Sequence, residues 1–402
     1  MSQKKGRLVP QLRFPEFRGS DGWGEKSLRL IAEVKIGQSP SSQYFNEMGD
    51  GLPLLQGNAD IEDGVSKPRV FTTQITKACK PGDILLSVRA PAGNVAISKH
   101  KACIGRGFAA LDAIYPNNQE YLFQWLMYYE NNWKRISQGA AFEAINADDI
   151  RSVAVSIPSP TEQQHIADCL SSLDSLITAE SRQLDALKEH KKGLMQQLFP
   201  QEGEKVPQLR FSEFRESVEW KVKPLSGVAA LCSEKISATL IDKAYYVSTE
   251  NLLPDFLGVT PAEKEPAITS ATSFSKGDIL VSNIRPYLKK ACRAHFDGTA
   301  SNDVLVFRAK PCLSQDYLAV LLCSDIFIDY VMLGAKGVKM PRGDISMMLS
   351  FPTPVPGVAE QTRIADCLFS LDDLIFAQSR KVDTLKIFKQ GLLGQLFPEI
   401  SP

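Results

Sequence analysis

The chain has 402 residues, of which 44% are hydrophobic and 23% charged, and its 46 acidic residues balance its 46 basic ones. This composition excludes a low-complexity chain, and the length predicts two domains of about 150 residues with helical connections. The neutral balance argues against strong nonspecific attraction of this chain alone to nucleic acid. With no leader peptide and no run apolar enough for a membrane span, we expect a cytoplasmic protein.

Two parts of the sequence are nearly the same. Residues 162–200 and 360–398 are identical at 25 of 39 aligned positions, and the segment PQLRFPEF at 10–17 matches PQLRFSEF at 207–214. Each copy is therefore a globular block followed by a long helix, as expected of a protein that reads two sites. The predicted domains are a first block at 1–160, a helix at 161–200, a second block at 201–358 and a helix at 359–402.

The two blocks share a turn followed by a buried strand. Residues 80–87 read KPGDILLS and residues 276–282 read KGDILVS, and comparable helices begin near Glu120 and Asp316. Short strands account for most of the remaining pattern. We expect an α+β protein in which each block is a mixed α/β domain with a curved, mainly antiparallel sheet.

Basic residues cluster inside the blocks. Arg89 and Arg285 follow the equivalent strands, where a planar donor could reach guanine in the major groove of DNA. The remaining basic residues are better placed for phosphate or mixed contacts, and each of the twelve has ordinary solvated surface as its alternative. The candidate DNA contacts are Lys67, Arg69, Arg89, Lys99, Arg106, Arg285, Lys289, Lys290, Arg293, Lys336, Lys339 and Arg342.

Each long helix carries an apolar seam with steps that alternate between four and three residues, which predicts a pair of antiparallel coiled-coil helices. We expect Glu180 to lie opposite Lys389 and Lys191 opposite Gln378, because these polar residues interrupt otherwise apolar seams. An alternative is that each helix packs separately on its own block. The pairs expected in antiparallel order are Leu173 with Leu396, Ile177 with Leu392, Glu180 with Lys389, Leu184 with Leu385, Leu187 with Val382, Lys191 with Gln378, Leu194 with Ile375 and Leu198 with Leu371.

The sequence lacks the motifs of the common catalytic sites. It has no GxxxxGK[ST] phosphate-binding loop, and it lacks the tetrapeptide beginning Asn-Pro-Pro or Asp-Pro-Pro that is expected of an amino-methyltransferase. Its four histidines and eight scattered cysteines show no metal-ligand spacing. We expect no catalytic residue, no metal site and no bound cofactor in this chain.

The order of these features resembles the specificity subunit of a type I restriction–modification enzyme. The most specific segments are IPSPTEQQHIA at 157–167, EQTRIA at 360–365, the LFP that ends each long helix and LRFPEF at 12–17. The second copy departs from this pattern at 351–357, FPTPVPG, which affects only the predicted boundary of its helix.

This resemblance implies that each block is a target recognition domain reading one half of a bipartite DNA sequence. The helices would set the gap between the half-sites and dock the partners. Those partners would be two modification subunits that use S-adenosylmethionine and two restriction subunits that use ATP and magnesium, in a prokaryotic defence system. The alternative is a repeat-built coiled-coil scaffold that binds proteins; the basic clusters and the divergent blocks favour the DNA reader.

Overall fold

The computed structural model describes residues 8–138, 144–201, 203–237, 242–262 and 270–398. Residues 399–402 of the second predicted helical segment lie outside the described residues. The chain divides into two compact units, and each is considered by itself. Unit 1 comprises Met1–Ser181 and Arg380–Pro402, and unit 2 comprises Arg182–Ser379. Each unit therefore holds one block and a part of each long helix, so the units do not coincide with the predicted boundaries.

The block of unit 1 is built from thirteen named strands, and their alternating apolar residues line its core. They are β1 (Gly24–Ser27), β2 (Ala32–Ile36), β3 (Phe45–Asn46), β4 (Leu52–Leu55), β5 (Ile61–Glu62), β6 (Val65–Ser66), β7 (Val70–Thr72), β8 (Ala78–Cys79), β9 (Ile84–Ser87), β10 (Val95–Ile97), β11 (Ala102–Ile104), β12 (Phe108–Ala113) and β13 (Ala154–Ile157).

These strands form mainly antiparallel sheets, as predicted. The larger sheets have the orders β2-β12-β9-β10-β6-β5 and β3-β7-β4-β11-β8, and β1 pairs with β13. The pairs β10–β6 and β11–β4 are parallel. The helices are α1 (Gln119–Tyr128), α2 (Glu130–Gln138), α3 (Ala147–Ser152) and α4 (Pro160–Leu198).

The described residues of unit 2 repeat this plan with ten named strands. Its three sheets have the orders β14-β23, β15-β22-β19-β20 and β16-β18-β21-β17, and β17–β21 is the parallel pair. The elements are β14 (Lys221–Pro224), α5 (Leu225–Val228), β15 (Ala229–Cys232), β16 (Lys235–Ser237), β17 (Tyr246–Val247), β18 (Ser270–Phe274), β19 (Ile279–Ser282), β20 (Ala291–Arg293), β21 (Gly298–Ala300), β22 (Val304–Ala309), α6 (Gln315–Leu322), α7 (Asp325–Leu333), α8 (Ile345–Leu349), β23 (Pro352–Val355) and α9 (Val358–Leu396).

Each unit has a main core to which a block and both long helices contribute. In unit 1, Ile166 and Leu170 of α4 join Leu393 and Leu396 of α9 in one buried cluster. In unit 2 the corresponding cluster includes Met195 and Leu198 of α4 with Ile364 and Leu368 of α9. The mixed α/β blocks are therefore folded onto the helices. No helix in the described parts of the chain contains a segment that is both long and apolar enough to cross a bilayer.

The long helices are antiparallel within unit 1, but the predicted register is wrong. Lys389 donates to both carboxylate oxygens of Asp174, at 2.6 and 2.7 Å, and Lys381 donates to Glu180 at 2.7 Å. Lys389 thus reaches a carboxylate six residues before its predicted partner, and Glu180 meets a lysine eight residues before its own, so both contacts lie about one heptad from the predicted level. In unit 2, Lys191 likewise donates to Asp372 at 2.5 Å and not to the predicted Gln378.

The seam positions themselves follow the predicted heptad spacing. All sixteen named residues are buried or half-buried, while most of their neighbours on either side are exposed. Leu198, Val382 and Leu396 are the most buried of them, at 1%, 3% and 2% exposure. The pattern therefore located the covered face of each helix, while the individual pairings across unit boundaries remain predictions.

Candidate nucleic-acid interface

A buried ion pair joins the first block to the long helix that follows it. Arg13 donates from Nε and Nη2 to the two carboxylate oxygens of Glu162, at 2.7 and 2.8 Å, and the indole of Trp23 donates to the same carboxylate at 3.2 Å. The guanidinium also donates to the carbonyls of Ser20 and Asp21. The hydrogen bond to Glu162 raises the pKa of Arg13. Both charges are therefore compensated although they are buried.

Unit 2 contains the same arrangement. Arg210 donates to the two oxygens of Glu360 at 2.7 and 2.8 Å, and the indole of Trp220 donates to Glu360 at 3.2 Å. The two PQLRF segments supply the arginines, and the two Glu-Gln pairs supply the acceptors. We call each Arg–Glu–Trp group a clasp. The repeated motifs that carry the family resemblance thus position each block on the helix that follows it.

The glutamine after each clasp glutamate fixes a second helix. The side-chain oxygen of Gln163 accepts from the backbone N–H of Asn118, and that of Gln361 accepts from the N–H of Ser314, at 2.9 and 2.7 Å. Asn118 and Ser314 are in turn the N-cap residues of α1 and α6. The same two contacts recur in the two units, so both blocks are held in one orientation relative to the start of their own long helix.

The first candidate DNA-contact edge lies where β9 and β11 of unit 1 end. Arg89 follows β9, and Arg106 lies in the turn between β11 and β12. The N–H of Val88 donates to the carbonyl of Gly107 at 2.9 Å, which brings the two loops together. Arg89 and Arg106 are exposed. Arg106 donates only to Ser39, so neither guanidinium pairs with a carboxylate among the described residues.

The other predicted contacts of unit 1 divide between two places. Lys67 and Arg69 lie beside the turn at Asp60, and Arg69 donates to that carboxylate at 3.1 Å, while Lys67 pairs with Glu62. Lys99 follows β10, which runs antiparallel to β9. Lys99 is therefore at the end of the strands opposite to Arg89, and the structure does not bring these two residues together.

In unit 2, Arg285 meets a loop that sequence reasoning had treated separately. Its N–H donates to the carbonyl of Pro341 at 2.7 Å, and Ile284 pairs with Arg342 as an isolated bridge. Arg342 forms an ion pair with Asp303 at 3.0 Å. Arg285 has φ = 51°, in the left-handed region that costs a residue with a side chain about 1–2 kcal/mol. The surrounding contacts therefore hold this arginine in a strained position.

The remaining basic residues of unit 2 are mostly engaged. Lys336 pairs with Asp344 at 2.9 Å, and this contact raises the pKa of Lys336, whereas Lys339 in the same loop is exposed. Lys289 bonds to the first residue of α7, and Lys290 bonds to the loop at Thr249. Arg293 pairs with Asp316 at 2.7 Å and lies 6.0 Å from the ring of Phe369. Because β20 is antiparallel to β19, Arg293 is at the end opposite to Arg285.

Lys289 and Lys290 stabilise the turn that follows β19. Lys289 pairs with Asp325 at 2.8 Å, and the hydrogen bond from this lysine to the carboxylate raises the pKa of Lys289. Lys290 donates to the carbonyl of Thr249 at 2.6 Å. These two side chains are therefore partly committed to the fold. Of the candidate DNA contacts in unit 2, Arg285 and Lys339 are the two whose side chains form no hydrogen bond or ion pair among the described residues.

Several residues that build the edges were missed by sequence reasoning. The clasp residues could have been found, because Arg13, Trp23 and Glu162 recur at nearly constant spacing as Arg210, Trp220 and Glu360. The sequence around the other turns of unit 1 has an ordinary turn composition, so nothing in it marked those residues as functional. Among the described residues, no group of three His, Cys, Asp or Glu side chains could hold a metal ion.

Residues 20–189 match the family described as the type I restriction modification DNA specificity domain. The chain is 35% identical over 176 residues to the MjaX protein of Methanocaldococcus jannaschii, a match covering 42% of this chain and 40% of that protein. It is 22% identical over 387 residues to the type I restriction enzyme MjaVIII specificity subunit of the same organism, covering 90% and 88%. The resemblance to type I specificity subunits is confirmed.

Two solved structures share the fold of this chain. The type I restriction–modification S subunit from M. genitalium has a TM-score of 0.62 at 14% identity, covering 98% of this chain and all of that one. A chain from a structural study of complex assembly and conformational transition in the type I system has a TM-score of 0.54 at 15% identity, covering 94% and 98%. The chain spans about two fifths of MjaX. These similarities do not favour a protein-binding scaffold.

Proposed function

We propose that this chain is the DNA sequence-specificity subunit of a type I restriction–modification complex. The block of unit 1 reads one half of a bipartite target, and the block of unit 2 reads the other half. The chain itself is non-catalytic. It recognises DNA for partner subunits that carry out methylation and cleavage.

One observation carries this proposal: the same clasp supports two blocks whose loops differ at the equivalent edge. Arg89 and Arg285 each follow an interior strand, β9 or β19, that is antiparallel to both of its neighbours. The residues after these strands read VRAPAGN in unit 1 and NIRPYLKK in unit 2. A constant frame with different polar loops is what recognition of two different base sequences requires.

The partners supply what this chain lacks. Its net charge of zero gives little of the phosphate attraction that dominates DNA affinity. We propose two modification subunits that use S-adenosylmethionine and two restriction subunits that use ATP and magnesium, all in the cytoplasm. The isolated chain then binds DNA weakly and binds no S-adenosylmethionine. Methyl transfer by the purified chain alone would contradict this assignment.

The long helices are proposed to set the gap between half-sites and to dock the modification subunits. Each of α4 and α9 has 39 residues, and inserting seven residues preserves a heptad seam while adding about 10 Å of helix. A matched insertion in both helices lengthens the gap and leaves both half-sites unchanged. Altered half-sites at an unchanged gap would show that the helices are not the spacer.

The direct test replaces Arg285 by alanine in the complex with the modification subunits. Sequencing of methylated DNA is expected to show that the half-site read by unit 2 is relaxed or lost while the other is intact. Arg215→Ala, at an exposed arginine of the same unit away from this edge, is the matched control. Equal loss at both half-sites would mean that Arg285 supports folding or assembly.

A further inference from the structure

Unit 1 contains an open cleft beside Arg89 with a volume of about 430 Å³. One wall is the turn at 56–60, which follows β4, and the other is the turn at 87–91, which follows β9. The backbone of Gly107 contributes to the cleft between the two turns. Three loops from the ends of different strands therefore surround one concave surface.

A buried carboxylate builds the first wall. Asp60 is 4% exposed and accepts from the N–H groups of Gln56 and Gly57, at 2.7 and 3.3 Å. Its other oxygen accepts from Nε of Arg69 at 3.1 Å. Arg69 therefore neutralises the one carboxylate that lines the cleft, and its role is to position the turn.

The second wall is tied to the first through a single carbonyl. The side-chain amide of Asn58 and the hydroxyl of Ser87 both donate to the carbonyl of Pro91, each at 2.7 Å. A side chain at Gly107 is excluded, because its Cβ would lie 2.0 Å from the carbonyl oxygen of Gln56. The cleft is thus held by hydrogen bonds and close packing before any ligand arrives.

Two long polar side chains remain available at its mouth. Gln56 and Arg89 are exposed, and neither side chain has a hydrogen bond or an ion pair among the described residues. The amide of a glutamine matches the N6 and N7 edge of adenine, and a guanidinium matches the O6 and N7 edge of guanine. Their shared cleft is therefore suited to neighbouring base edges in a major groove.

We propose that this cleft receives base edges of the half-site read by unit 1, with Gln56 as the reader of an adenine and Arg89 as the reader of a guanine. Asp60 and Arg69 are positioning residues that hold the Gln56 turn. The inference rests on the proposed function and extends it to a residue that no charge pattern revealed.

The test uses the full chain in complex with its modification subunits and duplexes that differ at single base pairs of the unit 1 half-site. Gln56→Ala and Arg89→Ala are each expected to reduce discrimination at one base pair by about 5- to 150-fold, at different positions. Gln56→Glu should instead change the preferred base at the same position, because a carboxylate accepts from the amino group of cytosine. Gln11→Ala and Arg29→Ala, at exposed residues outside the cleft, serve as controls.

Each other outcome has a distinct meaning. Uniform weakening on every duplex by Gln56→Ala would overturn the reading role. An unchanged unit 1 half-site in both alanine variants would also overturn it. If Arg285→Ala still altered the other half-site, the proposed function would stand without this cleft. A complex that methylates no bipartite target would refute the proposed function itself.

Discussion

The two units differ in the partners of an equivalent buried aspartate. Asp83 precedes β9 and Asp278 precedes β19, and both are almost fully buried. In unit 2, Arg308 donates to both oxygens of Asp278 at 2.8 and 2.7 Å. In unit 1 the residue at the register of Arg308 is Asp112.

This difference leaves Asp83 poorly compensated. Its Oδ1 has no hydrogen-bond partner among the described residues, and Asp112 pairs with Lys80 instead. Burial raises the pKa of Asp83, and the charge of Asp112 raises it further. The clasps are therefore the same in both units, whereas the blocks they hold differ even at buried charges. The frame is constant and the blocks are not.

The largest expected effect tests the equivalence of the clasps. Glu162→Gln leaves Arg13 buried without its counter-charge and is expected to destabilise unit 1 by about 3–5 kcal/mol. Glu360→Gln should cost unit 2 a similar amount, since its contacts are the same. Denaturant unfolding followed by hydrogen exchange of peptides from each unit measures both.

The control for these variants is Glu16→Gln, the same change in the first PQLRFPEF segment. Its contact with His165 is half-exposed, so we expect a loss below about 1 kcal/mol. A clasp variant no more damaging than this control would show that the clasp does not hold the block.

An intermediate effect is expected when an arginine equivalent to Arg308 of unit 2 is introduced into unit 1. Asp112→Arg removes the neighbouring negative charge and supplies donors to Asp83, so unit 1 should gain about 1.5–3 kcal/mol near neutral pH. The exchange removes the pair between Asp112 and Lys80, whose contribution is small because solvent screens the exposed lysine. The reverse change, Arg308→Asp, should destabilise unit 2. Destabilisation by both changes would mean that the two blocks are not interchangeable at this position.

The same variant changes the pH dependence. Because the folded-state pKa of Asp83 is raised, the folded form binds its proton more tightly than the unfolded form. The favourable contribution is present below the unfolded pKa of about 3.9 and is lost as pH rises through the folded pKa. Unit 1 of the Asp112→Arg variant should not lose stability in this way as the pH rises. Urea unfolding measured at a series of pH values between 3 and 7 compares the two proteins.

The smallest expected effect concerns the helix register. A double-mutant cycle on Asp174 and Lys389, with alanine at each, should give a coupling energy of about 0.5–1 kcal/mol, since the pair is partly exposed. The cycle on Glu180 and Lys389 should give a value near zero. The opposite ranking would restore the register predicted from the sequence.

The sequence predicted the parts of the fold that depend on repeated patterns. Internal repetition identified two blocks and two helices, and heptad spacing identified their covered faces. Register was beyond this reasoning, because the seam residues Lys389 and Glu180 pair with Asp174 and Lys381, which lie beside the seam where apolar spacing carries no information.

The candidate site was predicted in part for a related reason. Arg89 and Arg285 stand out because each follows a recognisable strand. Gln56 and Asp60 do not, because their importance comes from contacts that form only in the folded chain, with Gly107 and Arg69. Six of the twelve predicted basic residues pair with carboxylates, which composition alone does not reveal.

The most direct test of two separate readers on one frame is a duplicated-block chain, in which residues 207–356 are replaced by residues 10–158. The exchange retains one clasp in each unit, because the inserted copy brings the arginine and tryptophan that pair with a helix glutamate, and Glu360 remains in place. Sequencing of DNA methylated by this chain with its modification subunits should show the unit 1 half-site in both halves of the target. Retention of the original second half-site would contradict the account, because the block that is proposed to read it has been removed.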